Sequence, residues 1–150
     1  MGHRLTLLRS LTREQWRVVL KSLPLMPLVQ LSLRVRGFTR TAGMLAIHSQ
    51  RRAVPADPRD ARPLGEAVGL VAGRSVVGAR CLGRSLVLWF LLRRRGIDAE
   101  LVIGAGTPRG GELPAHAWVE VAGEPVNDAF DVRERFGSFG LQLPRLTEDG

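Results

Sequence analysis

The sequence predicts one α+β domain, in which N-terminal helices precede a buried helix and a small antiparallel sheet. Apolar residues recur at helical spacing through the first half of the chain and again over residues 81–95. The side chains alternate between the two faces expected of a β-strand over residues 98–103 and again over residues 115–122. The chain has 150 residues and is 45% hydrophobic, which is enough to bury a single core.

The N-terminal segment, residues 1–48, is predicted to be helical and part of this single domain. Thr12 begins a capping box, which places the start of the first helix. Pro24 and Pro27 are expected to end or kink that helix, and a second apolar stretch then runs to Gly37. The expected structure is a helical hairpin with one face on the core. Its basic flanks leave a second interpretation open, in which the hairpin docks on a partner protein or an anionic surface.

The middle of the chain divides into a linker and a core. Residues 49–63 hold three prolines among charged and amide side chains, so we expect a surface linker. Helical spacing resumes over residues 64–77. The clearest helix covers residues 81–95, is apolar on all sides at its centre, and is expected to be buried; Gly96 suits the position past its end. Residues 64–150 are therefore the predicted core.

The net charge of +8 lies wholly in the first half of the chain. Residues 1–75 carry 13 basic and 4 acidic residues, against 9 and 10 in residues 76–150. Only Trp16 and Phe38 accompany the basic residues before position 50, and open nucleic-acid grooves usually interleave more aromatic side chains. We expect no nucleic-acid partner, although a basic scaffold or nucleic-acid binder without catalysis is retained as an alternative.

No membrane span is expected, because the longest uninterrupted apolar run covers only residues 86–92. The first residues also lack the compact apolar stretch of a signal peptide. We expect a cytoplasmic protein, where a lone thiol stays reduced. The chain has one cysteine and three histidines, which excludes an intrachain disulfide and a zinc site with paired cysteines. Neither a metal nor a cofactor is predicted.

The cysteine is nevertheless a candidate nucleophile because of its position. Cys81 stands at the start of the predicted buried helix, where the helix dipole lowers a thiol pKa. A cysteine nucleophile also needs an imidazole and a residue to orient it, for which His116 and Asp128 are the candidates. His116 shares one face of its strand with Trp118 and Glu120. The simpler alternatives are a buried hydrophobic cysteine, a surface histidine and a turn aspartate.

Whether Asp128 reaches the ring of His116 depends on the turn between the strands. A two-residue loop that pairs Ala122 with Pro125 sends Asp128 to the opposite face of the sheet. A three-residue loop that pairs Val121 with Pro125 places Asp128 on the face of the histidine. A triad therefore requires the three-residue register, or an aspartate that has left the strand ladder.

Three sequence blocks within residues 79–131 resemble a known family. The first is Cys-Leu-Gly-Arg-Ser-Leu from Cys81, and the second is Arg-Arg-Gly-Ile-Asp-Ala-Glu-Leu. The third is His-Ala-Trp-Val-Glu from His116, followed after a turn by Asn-Asp. These blocks are similar to the transglutaminase-like leader peptidases of lasso peptide biosynthesis. The chain departs from the family pattern at Gly83, where relatives often have proline.

The resemblance implies a papain-like, transglutaminase-like fold, with residues 64–150 as its catalytic core. It implies that Cys81 is the nucleophile and that His116 is the general base and acid. Asp128, rather than the adjacent Asn127, would orient the histidine. The backbone N–H of Cys81 is the natural first oxyanion donor.

The family resemblance also implies a reaction and partners. The expected reaction is cleavage of the leader from a ribosomally made lasso precursor peptide, whose core peptide an ATP-dependent cyclase then closes. The residues before the linker are predicted to be helical, whereas the family's leader-recognition domain contains strands. We therefore expect that domain to be a separate small protein, and count it, the precursor and the cyclase as partners. Acyl transfer to an amine is the alternative reaction.

Overall fold

The computed structural model describes residues 11–49, 52–73, 79–108 and 110–138. Three long helices come first: α1 (Arg13–His48), α2 (Pro58–Ala72) and α3 (Ala79–Arg94). The remaining elements are β1 (Ala99–Ala105), β2 (Ala115–Val121), β3 (Glu124–Pro125), α4 (Val132–Arg135) and β4 (Gly137–Ser138). The strands form one antiparallel sheet in the order β3-β2-β1-β4. The predicted α+β architecture is confirmed, while the expectations for residues 1–10, 74–77 and 139–150 lie outside the described residues.

Helix α1 begins at the predicted cap, continues through both prolines, and is interrupted at Gly37, where the sequence predicts that the second apolar stretch stops. The backbone N–H of Gln15 donates to Thr12, and the Gln15 side chain accepts from the Thr12 N–H, which completes the capping box. The predicted end or kink of the helix at Pro24 and Pro27 is wrong. Both prolines lie on the exposed side, where water can hydrate the carbonyls that they leave without a donor. The kink lies instead at Gly37, whose φ of 77° is outside the helical region.

One face of α1 belongs to the core. By length and composition, the helix is also long and apolar enough to cross a membrane. Its buried apolar residues are Val18, Val19, Met26, Val29, Ala42 and Leu45. One helix of this kind near the N-terminus is weak evidence for a membrane span, because core helices reach the same length and hydropathy, although only 28% of its most apolar stretch is buried.

The predicted linker over residues 49–63 is too long. Pro58 opens α2, and the side chain of Asp57 caps it by accepting a first-turn N–H at 2.9 Å. Proline is well tolerated at a first helical position, since its missing N–H would have no partner in the helix there. The N–H of Val54 donates to the carbonyl of Gly96 at 2.7 Å, which holds the segment before α2 against the start of the sheet.

Helix α3 is the buried central helix that the sequence predicts, and it contacts α1, α2, β1 and β2. Its most buried apolar side chains are Leu86, Val87, Leu88, Trp89 and Leu92. The indole N–H of Trp89 donates to the carbonyl of Ala99 at 3.0 Å, which ties the helix to β1. At Gly83, a Cβ atom would lie only 3.3 Å from Cγ of Gln30, so glycine lets α1 pass close to the first turn of α3.

The turn between β2 and β3 follows neither register considered from the sequence. Ala122 and Gly123 form a two-residue turn with φ values of 50° and 81°, and Val121 pairs with Glu124. The strand ends one residue after Glu124. Asp128 therefore lies outside the ladder, which is the second of the two arrangements that the sequence allowed for a triad.

Candidate active site

Cys81, His116 and Asp128 meet where α3 packs against β2. Nε2 of His116 lies 2.6 Å from Oδ2 of Asp128. The His116 side chain is also hydrogen-bonded to Cys81, and because Nε2 faces the carboxylate, Nδ1 is the ring nitrogen left for the thiol. Cys81 is 6% exposed and His116 is 8% exposed. The structure thus brings all three predicted site residues into one hydrogen-bonded chain.

The thiol of Cys81 lies in the first turn of α3, as predicted, where the positive end of the helix favours an anion. Burial raises the pKa of this thiol. Hydrogen bonds with His116 and with the backbone of Ala117 and Leu82 act in the opposite direction, as does the charge of His116. The pKa of Cys81 is lowered from its ordinary value as the net result, which favours the thiolate.

His116 is held in its charged form by the same contacts. The hydrogen bond to Asp128 is the largest cause, the hydrogen bond to Cys81 is next, and together they outweigh burial. The pKa of His116 is raised from 6.5 to about 9. The lowered pKa of Cys81 and the raised pKa of His116 both favour the thiolate–imidazolium pair over the neutral pair.

Asp128 keeps its negative charge despite partial burial. Burial raises its pKa, but the hydrogen bonds from His116 and from the Ala129 N–H, with the charges of His116 and Arg84, lower it overall. Nη2 of Arg84 lies 3.5 Å from Oδ2 of Asp128, and Nη2 of Arg135 lies 3.4 Å from Oδ1. Two arginines and an imidazole therefore surround one carboxylate.

Asn127 has a different set of partners from its neighbour. Its Oδ1 accepts the Val119 N–H at 2.8 Å, in place of a carbonyl of the interrupted strand. Its Nδ2 donates to Oγ of Ser85 at 3.0 Å, and that hydroxyl donates to the carbonyl of Ala117 at 2.8 Å. The amide thus joins α3, β2 and the loop that carries Asp128.

Two aromatic rings lie near the imidazole, and one of them is hydrogen-bonded to a buried carboxylate. The ring centroid of Phe136 lies 4.7 Å from that of His116, and the Trp118 ring lies 6.1 Å away on the same strand. Glu120 is 1% exposed and accepts the Trp118 indole N–H at 2.7 Å. Arg133 binds both oxygens of Glu120, with Nε at 2.6 Å from Oε1. This ion pair ties α4 to β2.

Several of these contacts are not apparent from the sequence analysis. Arg84 and Ser85 follow Cys81 by three and four residues, a spacing that places them on the same helix face and could have indicated them. Arg133 and Phe136 come from a segment that shows no comparable periodicity. Among the residues that the structure describes, no group of three His, Cys, Asp or Glu side chains has a metal-binding arrangement.

Comparison with known proteins gives two matches. The chain is 44% identical over 55 residues to the microcin J25-processing protein McjB of Escherichia coli, a match that covers 37% of this chain and 25% of that protein. The match thus spans only about a quarter of the length of this relative. No solved structure matches the chain. The sequence model of the transglutaminase-like superfamily matches residues 25–139, most of the chain, and the chain therefore belongs to the transglutaminase-like superfamily.

Proposed function

We propose that this protein is a cysteine peptidase that removes the leader from a lasso precursor peptide and leaves the core peptide for a cyclase. The observation that carries the proposal is the continuous hydrogen-bonded chain from Cys81 through His116 to Asp128. A buried thiol beside a charged imidazole has no evident structural purpose, because an apolar side chain would fill the same space at lower cost. It is the arrangement that an activated cysteine nucleophile needs.

The site supports a two-step mechanism. The Cys81 thiolate attacks the carbonyl carbon of the scissile peptide bond, and the His116 imidazolium donates its proton to the leaving amine as the C–N bond breaks. An acyl-thioester on Cys81 remains. Neutral His116 then takes a proton from water, the hydroxide attacks the thioester carbonyl, and the acid product leaves with the thiolate restored. Asp128 keeps the ring in the required tautomer, and the backbone N–H of Cys81 is the proposed oxyanion donor.

The choice of substrate rests on two similarities. The sequence blocks around Cys81 and His116 are similar to those of lasso leader peptidases, and the relative McjB is by its name a processing protein for microcin J25. Both favour a ribosomal precursor peptide as the substrate. We place the reaction in the cytoplasm, where the single cysteine stays reduced.

The test is cleavage of a purified precursor peptide in the presence of its leader-recognition protein, followed by mass spectrometry. Wild-type protein is expected to release leader and core, and Cys81→Ala to release neither. The substitution is small and buried, so an unchanged circular dichroism spectrum serves as the folding control. Undiminished cleavage by Cys81→Ala would end the proposal.

Acyl transfer to an amine is the second candidate, because the chain belongs to the transglutaminase-like superfamily. The first step is unchanged, and an amine replaces water as the group that attacks the thioester. Addition of a primary amine to the cleavage reaction separates the two. Transfer would give a product heavier than the hydrolysis product by the mass of the amine less that of water. A product with a free carboxylate alone favours hydrolysis.

We also propose that the outer face of α1 binds the separate leader-recognition protein. The face is defined by six exposed apolar residues in a helical stripe: Trp16, Leu20, Leu23, Leu28, Leu31 and Val35. Exposed Arg13, Arg17 and Lys21 lie beside it, so the complementary partner surface is apolar and acidic. The opposite face of α1 is core, and deletion of residues 1–36 would therefore unfold the protein instead of testing the surface.

Point substitutions test this surface without disturbing the core. Leu20→Glu and Leu28→Glu place a negative charge within the stripe and are expected to weaken binding of the leader-recognition protein by about tenfold or more. Ile47→Glu is the matched control, since Ile47 is 61% exposed on α1 beyond the kink, as Leu20 and Leu28 are before it. Equal affinities for all three variants and the wild type would exclude the stripe as the binding surface.

A further inference from the structure

We infer that Arg84 is a positioning residue that holds Asp128 against His116. This inference rests on the proposed function, and it concerns how the orienting carboxylate is kept in place. Asp128 lies beyond the end of β3, so strand pairing does not fix its backbone. Its local backbone contact is the Ala129 N–H, which donates to Oδ1 at 2.8 Å. Oδ2, the carboxylate oxygen that faces His116, is instead contacted by the side chains of His116 and Arg84.

Arg84 is placed to hold that oxygen. Its Nη2 lies 3.5 Å from Oδ2 of Asp128, the same atom that lies 2.6 Å from Nε2 of His116. The Arg84 side chain is only 25% exposed, and within the described part of the chain its Nε is buried without a hydrogen-bond partner. Burial of this Nε without a partner is unfavourable, because the atom loses its hydration. The ion pair with Asp128 offsets that loss, so the carboxylate sets the orientation of the Arg84 side chain.

The consequence is that α3 carries both the nucleophile and the residue that holds the orienting group. Arg84 follows Cys81 by three residues, so both lie on one face of a rigid, buried helix. Arg135 of α4, the other cation on Asp128, is 50% exposed and is shared with Asp131. Among the described residues, the charged and titratable groups that face Asp128 are thus Arg84 from α3, His116 from β2 and Arg135 from α4, with Cys81 beyond the imidazole.

Two possible roles of Arg84 predict opposite changes in His116. If Arg84 holds Asp128, its removal loosens the hydrogen bond to the imidazole, and the pKa of His116 falls. If Arg84 acts only as a positive charge near the imidazolium, its removal relieves repulsion, and the pKa of His116 rises. The direction of the change therefore distinguishes positioning from a charge effect.

The test is an NMR titration of the histidine side chains in wild type, Arg84→Gln and Arg84→Lys. The chain has three histidines, so single substitutions of His3 and His48 assign the His116 signal. Arg93→Gln is the matched control: Arg93 lies on the same helix, is 22% exposed, has a buried Nε without a partner in the described structure, and pairs with Asp98 at 3.8 Å. Cleavage of the precursor peptide is measured alongside.

We expect the pKa of His116 to lie near 9 in wild type and Arg93→Gln, to be lower in Arg84→Lys, and to be lowest in Arg84→Gln. We also expect kcat of Arg84→Gln to fall about tenfold or more, with little change in KM. An unchanged or higher His116 pKa in Arg84→Gln would overturn the inference. Should that variant not fold, the same outcomes in Arg84→Lys decide the question.

The titration also separates this inference from the proposed function. It needs no substrate, so a lowered His116 pKa in the Arg84 variants supports the positioning role even if no precursor is cleaved. A wild-type His116 that titrates near its ordinary value, and does not respond to Cys81→Ala, would count against the thiolate–imidazolium pair on which both proposals depend.

Discussion

Nε2 of His116 and Oδ2 of Asp128 lie 2.6 Å apart although no strand pairing joins the two residues. The tight turn before β3 shifts the strand register by one residue from that of a three-residue loop, which would have placed Asp128 on the face of His116. β3 then ends, and Asn127 satisfies the Val119 N–H with its side chain. This release from the ladder allows Asp128 to turn toward the imidazole. The site thus depends on a strand that stops early.

Substitution of Asp128 by asparagine should slow cleavage without abolishing it. The amide cannot stabilise the imidazolium as a carboxylate does, but Cys81 and His116 remain, so we expect kcat to fall by about 10²- to 10⁴-fold. Asp131→Asn is the control, because Asp131 is 57% exposed and pairs with Arg135. If Asp131→Asn were the slower variant, or Asp128→Asn matched the wild type, the assignment of the orienting residue would be wrong.

Cleavage should have a bell-shaped pH dependence. Below the lowered pKa of Cys81 the thiol is protonated and cannot attack, so the rate falls with falling pH. Above a pH of about 9, His116 loses the proton that the leaving amine needs, so the rate falls again. The measurement is kcat/KM between pH 4 and 10. An alkaline limb near the ordinary histidine pKa of 6.5 would contradict the effect assigned to Asp128.

Two glycines of α2 should respond oppositely to alanine. A Cβ atom at Gly65 would lie 2.2 Å from the carbonyl oxygen of Val126, so Gly65→Ala must push away the loop that leads to Asp128. We expect a loss of about 1–3 kcal/mol in the free energy of unfolding, and slower cleavage. Within the described residues, nothing beyond the backbone of its own helix lies within 4 Å of a Cβ atom at Gly69, one turn later, and Gly69→Ala should add about 0.5–1 kcal/mol. Urea unfolding measures both, and equal effects would refute the predicted contact.

Removal of one charge of the Glu120–Arg133 ion pair should lower the free energy of unfolding more than removal of both charges. Arg133→Met leaves the buried carboxylate with only the Trp118 indole N–H among the contacts described above. We expect a loss of about 1–3 kcal/mol, moderated by the 55% exposure of the Arg133 side chain. The double variant Glu120→Gln with Arg133→Met should regain part of that loss, because no charge is then buried. Additive losses in urea unfolding would show that the two residues are not coupled.

The elements with strong local signals were predicted best. The capping box at Thr12 and the all-round apolar helix that follows Cys81 appear as expected, because their determinants lie within one or two turns of the chain. The predictions from proline are wrong in two helices: Pro24 and Pro27 lie within α1, and Pro58 opens α2 inside the predicted linker. In each case the consequence of a missing N–H depends on where the residue lies in the helix and whether water reaches the exposed carbonyl.

The sequence by itself determined the residue types and their order: one cysteine at a helix start, one histidine at a strand start, and an aspartate after the turn. Those are local properties, and they made Cys81, His116 and Asp128 candidates, while the family resemblance implied their roles. Only the tertiary structure decided how they meet, because the distance between His116 and Asp128 depends on a register shift of one residue and on Arg84 from a different element. Such contacts join parts of the chain far apart in sequence: helical spacing places Arg84 on the face of Cys81, but no local pattern indicates the carboxylate that it binds.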